Sequence, residues 1–192
     1  ERLEVLSSLV FEKVREWYDK LPEKTKIFVN IHPAELANGQ RMIERLKILQ
    51  PWASRTVLEI TERARIQSIE AWEQTLESIT KMGFSIAVDD LGAGYSSLSV
   101  LADLKPKIIK MDMAIIRDIH QEPRKQRLLE LMAKFSEATD ALLIAEGIER
   151  EEEMNEVISC GAHLLQGYHF AKPSLDYDSV QAYGKTSWNI TE

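Results

Sequence analysis

The sequence predicts an α/β fold in which helices cover a parallel sheet. Short apolar runs rich in β-branched residues alternate along the chain with longer stretches whose apolar residues recur at helical spacing. Each strand and the helix after it form a repeating unit, and such units have right-handed connections. The runs that predict strands cover residues 27–32, 56–62, 86–88, 108–112, 142–146 and 164–168.

Apolar periodicity and helix-ending residues define the connecting helices. Leu6, Val10 and Val14 recur at helical spacing in the first helix. Pro51 stops an early helix, and Gly83 ends the longest one. The predicted helices cover residues 3–18, a short piece from 34, 42–49, a long stretch ending at about 82, 96–104, 124–138, 150–159 and, weakly, 177–183.

Composition excludes several classes of protein. The chain has 192 residues, 44% of them hydrophobic and 29% charged, which predicts one globular domain over 1–192. The net charge of −7 argues against non-specific binding to DNA. No apolar run reaches the ~20 residues that cross a bilayer, so no membrane segment is expected in this chain. The single cysteine, Cys160, is expected to fill the core and fits a reducing, cytoplasmic compartment.

The stretch 85–97, with the sequence S-I-A-V-D-D-L-G-A-G-Y-S-S, combines a buried strand with an acidic tip and a glycine-containing loop. Asp89 and Asp90 follow the apolar run, where the strand is expected to end. Gly92 and Gly94 permit positive φ and close approach of the backbone. Two adjacent like charges at a strand end are unfavourable unless a cation or a hydrogen-bond donor offsets them. A cation site is one interpretation, and an exposed surface turn is the other.

Polar residues end all six predicted strands. Because the carboxyl ends of parallel strands meet at one edge of the sheet, these side chains are expected to share a site. Taken singly, each has a plainer explanation: Glu59 can pair with a surface lysine, and Asn30 can cap the following helix. Six polar ends together favour the shared site. The residues are Asn30, Glu59, Asp89 with Asp90, Lys110, Glu146 and Gln166.

The donor atoms of this set indicate the chemistry. Carboxylate and amide oxygens, with no obvious histidine or cysteine among them, favour Mg²⁺, Mn²⁺ or Ca²⁺ over zinc or an iron–sulfur cluster. Asp89 and Asp90 can flank two cations ~3.5–4 Å apart, an arrangement that cleaves phosphodiesters. Lys110 is expected to keep its charge and to orient a metal-bound water or neutralise phosphate. The residues therefore predict metal-assisted hydrolysis of a phosphoester.

These residues stand in motifs that resemble the EAL family of cyclic di-GMP phosphodiesterases. The motifs lie in family order between Asn30 and Pro173. They are V-N-I-H-P-A-E-L, L-E-I-T-E, D-D-L-G-A-G-Y-S-S, I-I-K-M-D, A-E-G-I-E and L-Q-G-Y-H-F-A-K-P. The resemblance implies a (β/α)₈ TIM-type barrel that hydrolyses cyclic di-GMP to linear pGpG, with Mg²⁺ or Mn²⁺ in a two-metal site.

The resemblance also implies roles for individual positions. The implied metal ligands are Asn30, Glu59, Asp89, Asp90 and Glu146. The implied catalytic residues are Glu146, Lys110, Asp90 and Gln166, with Lys110 steadying the catalytic water. The implied substrate-binding residues are Gln166, Glu149 and Tyr168, the last as a candidate for stacking on guanine or else as a core residue. Glu62 resembles the residue that anchors the glycine-containing loop, and residues 90–97 are expected to couple the metals to the partner subunit of a homodimer.

The sequence departs from the family pattern at its beginning. The E-A-L tripeptide is absent, and six predicted strands stand where a closed barrel has eight, so the first two strands are expected to be lacking. Either the domain begins upstream of Glu1, or this is a natural remnant completed by another segment. In either case we expect little or no hydrolysis from residues 1–192 alone.

Two functions from different classes follow. The first is a phosphodiesterase, linked to sensor or cyclase domains in the whole protein. The alternative is an inactive EAL-like domain that serves as a receptor for cyclic di-GMP or as a protein-interaction module. An unrelated barrel enzyme, such as a sugar-phosphate isomerase, would require all six motifs to coincide by chance.

Overall fold

In the computed structural model, which describes residues 2–61, 69–93 and 99–174, six parallel strands form one sheet and lie side by side in chain order. Every pair of neighbouring strands is parallel. This arrangement confirms the α/β class and all six predicted strands. The strands are β1 Ile27–Ile31, β2 Thr56–Thr61, β3 Ser85–Leu91, β4 Ile108–Met111, β5 Leu142–Ala145 and β6 Leu164–Leu165.

Two strand ends differ from prediction by more than one residue, and both differences concern the site. β3 continues through Asp89 and Asp90 to Leu91, so the acidic pair lies within the strand and not after it. β6 ends at Leu165, so Gln166 and the residues after it lie in a turn. One further ladder contact forms, from Gln166 N to the carbonyl of Ala145, before the chain turns away from the sheet.

The helices also follow the prediction in outline. The α-helices are α1 Arg2–Tyr18, α2 Pro33–Leu36, α3 Gly39–Leu46, α4 Ile69–Lys81, α5 Ser99–Leu104, α6 Met113–Ile116, α7 Pro123–Ala138 and α8 Glu151–Ser159. α3 gives way to a 3-10 helix, Lys47–Arg55, which contains Pro51 and is kinked at Trp52. The α-helix thus ends before Pro51, as predicted, and the chain continues in 3-10 turns that are broken by the kink beside the proline. A second 3-10 helix, Ile119–Gln121, was not predicted, and neither was α6, since so short an element shows no periodicity.

Strand alternation sorts the sheet residues onto two faces. On the inner face a layer of apolar side chains packs together, with one residue from each of the first five strands. These residues are Phe28, Val57, Ala87, Ile108 and Ile144. Side chains two positions apart on a strand point to the same face. The next inner-face positions are Asn30, Glu59, Asp89, Lys110 and Glu146.

The outer face of the sheet packs against the helices and forms the bulk of the core. Leu58 and Ile60 of β2 belong to a cluster that also contains residues of α1, α3 and α4. Ile109 and Leu143 belong to a second cluster, with residues of α7 and α8. These strands are thus apolar on the outer face and change from apolar to polar along the inner face. The helices that pack on the outer face therefore fix the sheet that carries the polar layer.

Some predicted features lie outside the described residues. These are Glu62, residues 94–97 of the glycine-containing loop and the weak helix predicted at 177–183. Among the residues that are described, no helix combines the length and the apolar character needed to cross a membrane. Cys160 is buried, as predicted for a core residue.

Candidate active site

A buried lysine lies at the centre of the polar layer. Lys110 Nζ is 2.5 Å from Glu59 Oε1, 2.7 Å from Glu146 Oε1 and 2.9 Å from Asp89 Oδ1. The lysine side chain is 6% exposed, and none of its three partners exceeds 14%. The inner faces of β2, β3 and β4 and the residue after β5 therefore bring one cation and three carboxylates to a single point.

The charges of this cluster perturb one another strongly. Burial by itself would lower the pKa of Lys110, but its contacts with Glu146, Glu59 and Asp89 outweigh burial and raise the pKa, so the ammonium stays charged. Burial raises the pKa of Glu146 to about 7, although Lys110 acts in the opposite direction. Burial also raises the pKa of Glu59. Glu146 is thus a carboxyl group that can take up or release a proton near neutral pH.

An irregularity in β3 brings Asp89 and Asp90 to the same site. In a regular strand, adjacent side chains point to opposite faces. Here the register with β4 shifts between Val88 and Leu91, and Asp90 has a φ of 59°, in the left-handed region. A bulge of this kind re-aims a side chain. As a result, carboxylate oxygens of Asp89, Asp90 and Glu146 all lie within 4.8 Å of one another.

A cavity of about 300 Å³ opens beside these carboxylates. Asp90 and Glu146 line its wall, and so do three residues that were predicted to bind substrate, namely Gln166, Glu149 and Tyr168. The structure therefore brings five of the predicted site residues to one cavity. The rest of the lining consists of Asp112, Met113, Gly147 and Gly167.

The turn after β6 is fixed against the segment that carries Glu146. Ile148 N donates to the carbonyl of Gln166 at 3.1 Å, and His169 N donates to the carbonyl of Ile148 at 3.0 Å. Gly167 is necessary here, because a Cβ at this position would lie 2.1 Å from the oxygen of Ile148. The close approach of the two backbones sets the distance between Gln166 and Glu146 across the cavity.

Asn30 occupies a different position from the other predicted ligands. Its Cα pairs in register with that of Glu59, but the side chain is exposed and lines a separate groove between α1 and β1. The groove has a volume of about 490 Å³. His32, two residues further on, caps α2, with Nδ1 accepting the N–H of Ala34 at 3.1 Å. This histidine therefore has a structural role at the start of α2.

Comparison with known proteins gives the same assignment as the motifs. A sequence model of the EAL domain matches residues 3–173. The chain belongs to the EAL domain family. Among the curated relatives of this EAL domain, Escherichia coli K12 PdeG, named a probable cyclic di-GMP phosphodiesterase, is 32% identical over 165 residues. The match covers 84% of this chain and 32% of PdeG, so the EAL domain described here spans about a third of that relative's length.

Solved structures of EAL proteins superpose on the domain. Klebsiella pneumoniae BlrP1, in a complex with manganese and cyclic di-GMP, matches with a TM-score of 0.78 and 27% identity, over 89% of this chain and 44% of its own. A standalone EAL protein from Vibrio cholerae, bound to cyclic di-GMP, matches with a TM-score of 0.75 and 30% identity, over 88% of this chain and 73% of its own. The fold is therefore the TIM-barrel-like fold of EAL domains, as predicted.

The residues present fit a divalent cation. Asp89, Asp90 and Glu146 offer three hard oxygen donors close enough to share one ion. Glu59 Oε1 is buried and meets Lys110 at ion-pair distance without the alignment of a hydrogen bond, so it retains acceptor capacity. This donor set suits Mg²⁺ or Mn²⁺ better than metals that prefer sulfur or nitrogen.

One acidic residue that lines the EAL domain's cavity was not predicted. Asp112 lines it and caps α6, its Oδ1 accepting the N–H of Ala114 at 2.8 Å. The sequence feature that could have indicated Asp112 is its position two residues after Lys110, at a strand end followed by a short helix. Tyr168 is 57% exposed at the cavity, with Lys172 Nζ 5.8 Å from its ring centroid, so the core position considered for it is wrong.

Proposed function

We propose that the protein containing this EAL domain hydrolyses cyclic di-GMP to linear pGpG with the help of Mg²⁺ or Mn²⁺. The observation that carries the proposal is the convergence of Lys110 and its carboxylate partners on the edge of a cavity that Gln166, Glu149 and Tyr168 also line. Relatives named as cyclic di-GMP phosphodiesterases, and related structures with the nucleotide bound, support the same substrate.

Carboxylates of the inner face would hold the cations. Asp89, Asp90 and Glu146 form the nearest set, and Glu59 adds a fourth carboxylate through its contact with Lys110. Asn30, the fifth predicted ligand, is in register with Glu59 but lines the separate groove beside α1, so it stands apart from this set. Bound divalent cations supply Lewis-acid stabilisation of the phosphate charge and lower the pKa of a bound water.

Glu146 and Lys110 have complementary tasks in this proposal. Glu146, one of the carboxylates that would hold the cations, would also help to activate the attacking water. Lys110, fixed by three carboxylates, holds its positive charge toward the developing negative charge on phosphate.

The cavity residues are proposed to bind the nucleotide. Gln166 can donate and accept hydrogen bonds at the mouth, and Glu149 can accept them from the Watson–Crick edge of guanine. Tyr168 presents an exposed ring on which a base can stack. Glu149 lies in the loop after β5, and Gln166 and Tyr168 lie in the turn that is hydrogen-bonded to this loop at Ile148.

The whole protein's organisation is part of the same proposal. We infer a homodimer in which Glu62 anchors the loop after β3, and linkage to sensor or cyclase domains. The single buried thiol of Cys160 agrees with a cytoplasmic location.

Product analysis by the full-length protein tests the proposed reaction. With Mg²⁺ or Mn²⁺ we expect cyclic di-GMP to be converted to pGpG, and EDTA to stop the reaction. Glu146→Gln is expected to abolish turnover, whereas Glu137→Gln, an exposed change on α7, is expected to preserve it. Binding of cyclic di-GMP without turnover would overturn the proposal in favour of the receptor function.

A further inference from the structure

A buried glutamate outside the metal cluster joins two loops that line the cavity. Glu153, in the first turn of α8, is 2% exposed. Its Oε1 accepts the N–H of Asp118 at 2.9 Å. Its Oε2 accepts the N–H groups of Glu149 at 3.0 Å and Arg150 at 3.2 Å. One carboxylate thus receives three backbone donors from two separate segments of the chain.

Both segments carry residues of the candidate site. The donors at 149 and 150 end the loop that runs from β5 to α8, in which Glu146 and Glu149 line the cavity. The donor at 118 follows α6, whose first turn places Asp112 and Met113 on the same cavity. Asp118 has a φ of 57°, so its backbone conformation is one that needs support from its surroundings.

Two ion pairs that also link these segments lie on the surface, and the base of the loop is joined to β4 by the bond from Glu146 N to the carbonyl of Met111 at 3.1 Å. Arg150 pairs with Asp118 at 2.8 Å, and Arg117 approaches Glu149 at 3.6 Å, but all four side chains are 44% to 55% exposed. Exposed ion pairs fix geometry weakly. The loops also touch directly, since a Cβ on Gly147 would lie 2.3 Å from Met113 Cβ, and this contact has no directional hydrogen bond.

We propose that Glu153 is a positioning residue for the reaction, because it fixes the loop of Glu146 and Glu149 against the segment that carries Asp112. The role of Glu153 in the reaction rests on the proposed function of the cavity, but the three hydrogen bonds that it accepts do not. Burial alone would raise the pKa of Glu153, yet the three backbone hydrogen bonds and Arg150 outweigh burial and lower it, so the carboxylate is ionised at neutral pH. An ionised acceptor makes the strongest bonds to backbone donors.

Glu153→Gln in the full-length protein removes this clamp with little change in volume. The amide nitrogen of glutamine would face a backbone N–H, so one of the two segments loses its acceptor. The matched control is Glu152→Gln, which removes the same charge from an exposed residue of the same helical turn. Turnover of cyclic di-GMP, amide hydrogen exchange and the rise in Tm caused by Mn²⁺ are measured for both variants.

We expect kcat of Glu153→Gln to fall by about 10- to 100-fold, as for other residues that orient a metal site, while the control stays within about twofold of wild type. Exchange is expected to accelerate in the segments 117–119 and 148–150 of Glu153→Gln alone. Measurements are made below the Tm of both variants, so that a loss of folded protein does not lower kcat.

Each readout can overturn the inference. A kcat equal to that of the control would show that the clamp does not position the reacting groups. Reduced kcat with unchanged exchange in both segments would place the effect elsewhere. If wild type itself shows no turnover, the proposed function fails, and the effect of Mn²⁺ on Tm then tests the role of Glu153 by itself. A smaller rise in Tm for Glu153→Gln than for wild type supports the positioning of Glu146, and an equal rise refutes it.

Discussion

Replacing Lys110 by methionine tests the electrostatic centre of the site. The substitution keeps an unbranched side chain but leaves Glu59, Asp89 and Glu146 facing one another without their common cation. Removing one partner of a buried ion pair costs about 3–5 kcal/mol. For a domain of this size each kcal/mol corresponds to about 2–4 °C in Tm. We therefore expect the Tm of Lys110→Met in EDTA to fall by about 6–20 °C.

The same variant should respond more strongly to divalent cations than wild type. A cation and the ammonium of Lys110 draw on the same carboxylates, so removing the ammonium removes a competitor. A ligand at 100 times its Kd stabilises a protein by about 2.7 kcal/mol. Differential scanning calorimetry at pH 8 measures Tm in EDTA and with increasing Mn²⁺.

Lys107→Met provides the control. Lys107 lies just before β4 and pairs with Asp140, but both side chains are more than half exposed, so little change in Tm is expected. If Lys110→Met in EDTA melts within about 2 °C of wild type, the three carboxylates are not held together by the lysine. The electrostatic account of the site would then be wrong.

Four further expectations follow. In EDTA, the raised pKa of Glu146 contributes stability that is complete below pH 4.5 and is lost as the pH rises to about 7. The Tm of wild type, measured by circular dichroism, should therefore fall across this pH range relative to the Tm of Glu146→Gln. Tyr168→Ala should raise KM for cyclic di-GMP by about 5- to 100-fold in steady-state assays while Tm stays constant, because base stacking is lost from an exposed ring. Gly167→Ala should lower Tm by about 2–12 °C in thermal shift assays, since its Cβ would clash with the carbonyl of Ile148. Titration calorimetry should count two Mn²⁺ per chain.

Much of this architecture could be predicted because it follows from local patterns. Short apolar runs rich in β-branched residues identified the strands, and the polar residue at each run's end marked the active edge. The structure shows why Glu59, Lys110 and Glu146 meet, since each lies two positions beyond an apolar inner-face residue. Periodicity of two therefore carries information about the site as well as the fold.

Local sequence patterns do not predict that Asp89 and Asp90 share one site. Alternation alone sends Asp89 and Asp90 to opposite faces, and only a register shift against β4 with a left-handed Asp90 lets both share one site. Such a shift depends on the partner strand, which no local pattern contains. The clamp by Glu153 was missed for a similar reason, because its three donors come from segments about 30 residues apart in the chain, as the bond from Asp118 illustrates.

The charge of the site explains why two cations are expected. Glu59, Asp89, Asp90 and Glu146 with Lys110 carry a net charge of −3 when all are ionised. One divalent cation leaves −1, which still repels a phosphodiester, and a second gives +1, which attracts it. The chain as a whole is at −7, so the surroundings supply no compensating field. If calorimetry counted a single Mn²⁺ while cyclic di-GMP remained bound, residues outside this cluster would have to hold the phosphate, and the ligand role proposed for Asp90 would fail.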